Sequence, residues 1–280
     1  MRSIHVNTVT EAVADLCVKA NYELNTDIRQ ALEKALAQEK SETGKSILES
    51  LIENARIARE ESLAICQDTG MAVIFVEVGQ NLSIEGGSLE EAIQEGVRLG
   101  YKKGYLRNSV VADPLLRKNT GDNTPAVIHW SLTPRDRLVI EVAPKGFGSE
   151  NMSALKMLKP SDGEEGVKAF VVDTVSRAGA NPCPPIVVGV GLGGTMEKAA
   201  LLAKKALMRP LDKPNETPHL ARIEEELLER INRLGVGPAG LGGRTTALGV
   251  NVESFPTHIA GLPVAVNISC HVTRHRSVSL

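Results

Sequence analysis

Apolar residues recur at every third or fourth position between charged ones over residues 10–24, 27–38 and 46–59. That spacing predicts helices, each burying one stripe. The rhythm then breaks: residues 71–78, from Met71 to Val78, are rich in branched side chains and predict a strand. Cys66 therefore falls in a helix-to-strand loop. A helix is expected at 88–99 and a long loop carrying Pro114 and Gly121 at 107–124, with strands 126–130 and 137–142 paired to each other. A loop of that length is usually functional or mobile.

Beyond a glycine loop at 145–151 the pattern alternates: helix 164–178, strand 186–190, helix 195–208. A polar, proline-bearing linker at 210–218 leads to a charged helix at 219–234. A second glycine-rich loop at 235–243 and short strands at 246–252 and 263–267 follow. The alternation argues for an α/β fold, a mixed helix–strand domain with a helical N-terminal region. One domain over residues 1–280, or two fused lobes, satisfies the 42% hydrophobic content, which is spread evenly.

Charge and composition narrow the function. A formal net charge of -2 gives no basic field for a polyphosphate backbone, and 3% aromatic residues leave few rings for stacking bases, so nucleic acid is not an expected partner. No apolar run approaches membrane-spanning length, and the opening residues lack a basic stretch followed by an apolar one, so a soluble cytoplasmic protein is expected. The cysteines at 17, 66, 183 and 270 are too few and too scattered for a disulfide scaffold.

Structural zinc sites collect thiolates in close pairs, and no such pair exists here. Cys66, Cys183 and Cys270 each stand alone in a loop beside a predicted strand. That arrangement suits a 4Fe–4S cluster with three irons anchored by thiolate and one left open as a Lewis acid. Cys183 lies in Asn181-Pro182-Cys183-Pro184-Pro185, where proline excludes helix and holds an extended segment that aims the side chain. Cys17, on an amphipathic helical face, reads as a small buried hydrophobe.

Gly189-x-Gly191-x-x-Gly194 follows a predicted strand and opens a predicted helix, as a dinucleotide fingerprint would. The fingerprint expects an acidic residue ending a second strand about 20 positions on, whereas Asp212 sits in a turn. These glycines either bring backbone amides to an anion, such as a cluster sulfide or a substrate carboxylate, or simply make a tight turn. The 235–243 loop before Arg244 carries the same two readings.

Three segments taken together, Cys66-Gln67-Asp68-Thr69-Gly70, Asn181-Pro182-Cys183-Pro184-Pro185 with the glycines that follow, and Ile268-Ser269-Cys270, resemble class I fumarate hydratases over essentially the whole chain. The likeness is nearer to the α subunit of the two-subunit form, shared with L-tartrate dehydratase. It implies the fold of the N-terminal domain of iron–sulfur hydro-lyases and a 4Fe–4S cluster on Cys66, Cys183 and Cys270. It further implies a substrate held by Gln67, Arg107, Gly148 and His258, with Asp68 as the acid. A separate β subunit would supply the base, resembling a threonine, and further cations in an α2β2-like assembly. On this reading the chain, which stops soon after its third cysteine, is catalytically incomplete by itself. Fumarate hydration to L-malate, a step of the tricarboxylic acid cycle, is the leading expectation and L-tartrate dehydration the second. Rivals of other classes are a non-catalytic iron–sulfur protein, which would saturate every iron with cysteine, and a nucleotide-binding module using Gly189 to Gly194. Arg274, His275 and Arg276 read as residues that meet the β partner or, more plainly, as an exposed basic tail.

Overall fold

A computed structural model describes residues 2–280 and divides them into two compact units. The first comprises residues up to Leu24, Ala55–Phe147 and Arg274–Leu280; the second comprises Asn25–Asn54 and Gly148–Thr273.

In the first unit β1 (Arg2–His5) leads into α1 (Val6–Tyr22), and the later helix α3 (Glu42–Glu60) enters at Ala55 after α2 (Thr26–Gln38) of the second unit. Then come β2 (Met71–Gly79), β3 (Leu82–Glu85), α4 (Leu89–Lys103), β4 (Val127–Thr133) and β5 (Leu138–Lys145). A four-stranded sheet has the order β10-β5-β2-β4, where β10 is Arg276–Ser279, and β1 pairs in parallel with β3. The expected pairing of the strands near 126–130 and 137–142 is wrong. β2 lies between them, parallel to β4 and antiparallel to β5. The reason is visible at its two ends. Ala72 to Val76 are all buried, which demands a central place. The β4–β5 connector wraps the far end of β2, where Gly79 N–H donates to Arg137 O at 3.0 Å and Gln80 N–H to Thr133 O at 2.9 Å. An ideal Cβ on Gly79 would lie 2.5 Å from Arg135 O, so only glycine fits under that connector.

α4 starts at an N-cap, Ser88, whose Oγ accepts from Glu91 N–H, and ends in Lys102 and Lys103 at its negative pole. Gly96 and Gly100, four apart, form a flat strip against α1: a Cβ on Gly96 would be 2.6 Å from Val13 Cβ and one on Gly100 2.8 Å from Cys17 Cβ. Cys17 is thereby sealed in the core with Ile74, Ile93 and Ile140, and burial pushes its thiol up to about 12. The expectation of a packing role holds.

The second unit contains, after α5 (Phe147–Glu150), β6 (Ala154–Leu158), α6 (Gly163–Ala178), β7 (Ile186–Gly193), α7 (Met196–Ala206), α8 (Pro218–Asn232), β8 (Ala247–Phe255) and β9 (Leu262–Ser269). Its sheet has the order β6-β9-β7-β8. Alternation along β7 divides the work: Val188 and Val190 join Val171, Val175, Leu227 and Ile231 of α6 and α8, while Gly189 and Gly191 point at α7. A Cβ on Gly191 would collide with Ala199 O, and one on Gly189 with Ala203 O. Gly189 and Gly191 thus serve helix–strand packing, and the tight turn falls at Gly193 and Gly194, with φ of 82° and 67°.

The basic tail is also corrected. Arg274 is 4% exposed, and Arg276 begins β10 and bonds Glu23 through O and Oε2. No helix among the described residues is long and apolar enough to cross a membrane.

Candidate functional site

The 66–70 loop has little secondary structure of its own, and three side chains and one backbone carbonyl of the first unit supply what it lacks. Ile65 N–H donates to Asn21 O at 2.9 Å, tying the start of the loop to the last turn of α1. The buried Tyr101 hydroxyl of α4 reaches Thr69 O at 2.8 Å and Gly70 O at 3.0 Å, and Asn123 Nδ2 donates to Gly70 O at 3.2 Å. Arg274 Nη2 donates to Asp68 O at 2.7 Å. These bonds pin the backbone from Asp68 to Gly70.

Asp68 is held as firmly as its backbone. Gly70 N–H donates to Oδ1 at 3.0 Å, and Phe147 N–H donates to Oδ2 at 2.9 Å. Gly70 must be glycine for two reasons, a φ of 76° and a Cβ position 2.7 Å from Lys145 N. The carboxyl is half-buried, and Gln67 beside it is exposed. Arg107 is brought to the same place through its backbone: Thr69 Oγ1 accepts from Arg107 N–H at 2.9 Å and donates to Arg107 O at 3.1 Å, leaving the guanidinium exposed. The 107–124 loop is knit by its own bonds, with Asp113 Oδ1 accepting from Leu115 and Leu116 N–H and Asn119 Nδ2 donating to Asn108 O.

In the second unit Cys183 adopts φ 55°, a left-handed conformation that a side chain with a Cβ rarely takes. Three contacts hold it there. Its N–H donates to Ala180 O at 3.1 Å, Ala239 N–H donates to Pro184 O at 2.8 Å, and His271 Nδ1 donates to Cys183 O at 3.0 Å. The last bond brings the Cys183 and Cys270 segments together, because His271 follows Cys270 and β9 runs antiparallel to β7 with Ser269 opposite Val187. Gly148 joins them, its Cβ direction facing Asn181 O at 3.8 Å.

His258 does not join them. Its Nδ1 accepts from Ala260 N–H, and the neighbouring Thr257 donates to Gly194 O at 2.9 Å, at the far end of β7. The seven steps from Ile186 to Gly193 put about 23 Å between that end and the end of β7 that the cysteine segment enters, at roughly 3.3 Å per residue.

Tyr101, Asn123 and Arg274 were not foreseen from the sequence. Tyr101 sits on the apolar stripe of a helix and reads as core, while Asn123 and Arg274 bond backbone, which leaves no spacing signature. Among the described residues a carboxylate trio of Glu164, Glu165 and Glu226 has metal-like spacing, but Lys168, Arg222 and Arg230 already fill it with ion pairs. The thiols remain. Cys66 and Cys270 are half-buried, Cys183 is exposed, and none is in a disulfide. Thiolate is the ligand form, so these three suit a thiophilic centre and the sealed Cys17 does not.

The fold and these loops define an α/β protein that presents accessible thiols beside polar side chains locked by backbone contacts. The sequence profile of the family described as fumarate hydratase (Fumerase) matches residues 10–279, and the chain belongs to that family. It is 45% identical over 272 residues to a Methanocaldococcus jannaschii protein provisionally named L(+)-tartrate dehydratase subunit alpha, covering 95% of each chain. It is 35% identical over 273 residues to the L(+)-tartrate dehydratase subunit alpha of Escherichia coli K12, covering 96% of this chain and 89% of the relative, with the same figures for that of Shigella boydii.

Proposed function

We propose that the chain is the α subunit of a hydro-lyase that exchanges water with a four-carbon 2-hydroxy dicarboxylate, L-tartrate before fumarate and malate. The names of its relatives favour tartrate and reverse the order expected from the motifs alone. One observation carries the catalytic part of the reading: beside Cys66, both oxygens of Asp68 are aimed by backbone N–H groups in a loop braced by Tyr101, Asn123 and Arg274. A proton carrier needs fixed direction before it needs any particular acidity.

Cys66, Cys183 and Cys270 would hold a 4Fe–4S cluster, and their accessible thiols, none of them in a disulfide, fit it. When bound, such a cluster supplies a Lewis-acidic iron for the departing hydroxyl. The rest belongs to the chain. Asp68 gives the leaving hydroxyl its proton, or takes one from water in the reverse direction. The exposed Arg107 guanidinium presents its fork to one carboxylate while its backbone is pinned by Thr69. Gln67 and the Gly148 N–H orient the other polar atoms of the substrate. His258 is left out of this group because its segment lies at the opposite end of β7 from the cysteine segment. A β subunit, as the word subunit in the relatives' names suggests, supplies the base on the opposite face.

The test is anaerobic co-expression with a candidate β chain, followed by iron and sulfide analysis and by turnover of tartrate and of malate. Iron and sulfide in the wild type, their loss in Cys66→Ser, Cys183→Ser and Cys270→Ser, and faster turnover of tartrate are expected. Iron-free wild-type protein, or full turnover by the three serine variants, would defeat the proposal.

A further inference from the structure

Glu39 is a carboxylate at the end of α2, 4% exposed, and its partners are all backbone. Oε1 accepts from Lys40 N–H at 2.8 Å and Ser41 N–H at 3.0 Å; Oε2 accepts from Arg244 N–H at 2.9 Å, and Thr245 N–H adds a fourth bond. Two glycines make room for it. A Cβ on Gly44 would lie 2.9 Å from Glu39 Cγ, and one on Gly243 2.9 Å from Oε2. The glycine-rich 235–243 loop thus ends in an anion nest whose anion is a residue of the same chain.

That loop leads to Cys183. Gly242 N–H donates to Val236 O at 2.9 Å and closes the loop on itself. Its tip then meets the cysteine segment twice: Ala239 N–H bonds Pro184 O, and Gly240 packs against Ala180 too closely to admit a Cβ. Cys183 needs such a brace, because its φ of 55° is held against its own preference. A loop with glycines at 235, 237, 240, 242 and 243 has little stiffness of its own. Its rigidity must come from where it is tied, and Glu39 is the tie at its C-terminal end.

We infer that Glu39 is a positioning residue for Cys183, acting through the 236–243 loop to hold the cysteine in its left-handed pose. The link to a cluster rests on the proposed role of Cys183 as a ligand; the positioning itself is a property of the metal-free chain. Glu39→Gln keeps one oxygen and so half of the nest, and Glu39→Ala keeps none. A core variant of matched stability loss, Val171→Ala, separates positioning from general weakening.

Two readouts on the full-length chain decide the matter. In metal-free protein, hydrogen exchange at the Ala239 and Cys183 amides should rise about tenfold in Glu39→Gln and further in Glu39→Ala, with Val188 and Val190 of β7 unchanged. In anaerobically reconstituted protein, a chelator should strip iron several-fold faster from Glu39→Gln than from Val171→Ala. Exchange at Ala239 and Cys183 that stays at the wild-type rate, or rises equally in Val171→Ala, overturns the inference. If the wild type binds no iron and sulfide, the proposed cofactor fails while the exchange measurement still decides the role of Glu39.

Discussion

At the scale of single residues, the polar groups that matter most bond backbone rather than one another. Tyr101 is the clearest case: its ring is core and its hydroxyl is shared between Thr69 O and Gly70 O. Tyr101→Phe leaves the packing intact, Thr69 O without this donor and Gly70 O with Asn123 in its place, which should cost about 1–3 kcal/mol in denaturant unfolding. On the proposed function kcat should fall more than KM rises, since the 66–70 loop loses aim rather than contact area. Glu39 makes a prediction of a different kind. Burial is the largest influence on its carboxyl and pushes its pKa up, yet the backbone N–H bonds together outweigh it and hold the group below its ordinary 4.5. A depressed folded value means stability that is present above the unfolded pKa and lost as pH falls through the folded one. The stability gap between wild type and Glu39→Gln should therefore be full near neutrality and shrink below pH 4.5, as denaturant titrations across that range will measure. A gap that is constant with pH would show that the charge is not what the nest holds.

At the scale of elements, β7 shows how much a strand can encode and how much it cannot. Val188 and Val190 announced a buried strand, and Gly189 and Gly191 announced an unusual one, but only the folded chain shows that α7 lies against those glycines backbone to backbone. Gly191→Ala forces a methyl into Ala199 O and should destabilise by about 1–3 kcal/mol, read as a lowered denaturation midpoint. The helices at α4, α6 and α8 were legible because each repeats its stripe over several turns. The short strands β1, β6 and β10 were not, since four or five residues are too few to establish a period. The β4–β5 pairing misled because strand partners are chosen across the sheet, and proximity in sequence says nothing about an intervening β2. The site divided along the same line. Cys66, Asp68 and Cys183 stood out through local motif and proline context. Arg274 and Asn123 act through carbonyls of a distant loop, and no local pattern marks that.

At the scale of the whole molecule, two cores are built from one interrupted chain. One holds Ile74, Ile93 and Ile140, the other Val188, Leu227 and Ile268, and the candidate ligands are divided, with Cys66 in the first unit and Cys183 and Cys270 in the second. On the proposed function this division has a chemical counterpart. Removing water from a hydroxy acid needs one group to protonate the leaving hydroxyl and another, on the opposite face, to take the carbon-bound proton. Asp68 suits the first task, and its two oxygens are already committed in direction by Gly70 and Phe147. The second task falls to the partner. The reconstituted α chain alone should therefore bind dicarboxylate, seen as a perturbation of the cluster's spectrum, while turning over at a small fraction of the rate reached with its β chain. Asp68→Asn should abolish turnover of the assembled enzyme yet keep that spectral change, because binding and proton transfer are separate duties. Turnover by the α chain alone equal to that of the assembly would mean that this chain supplies both proton-handling groups, and the division of labour assigned to Asp68 and its partner would have to be abandoned.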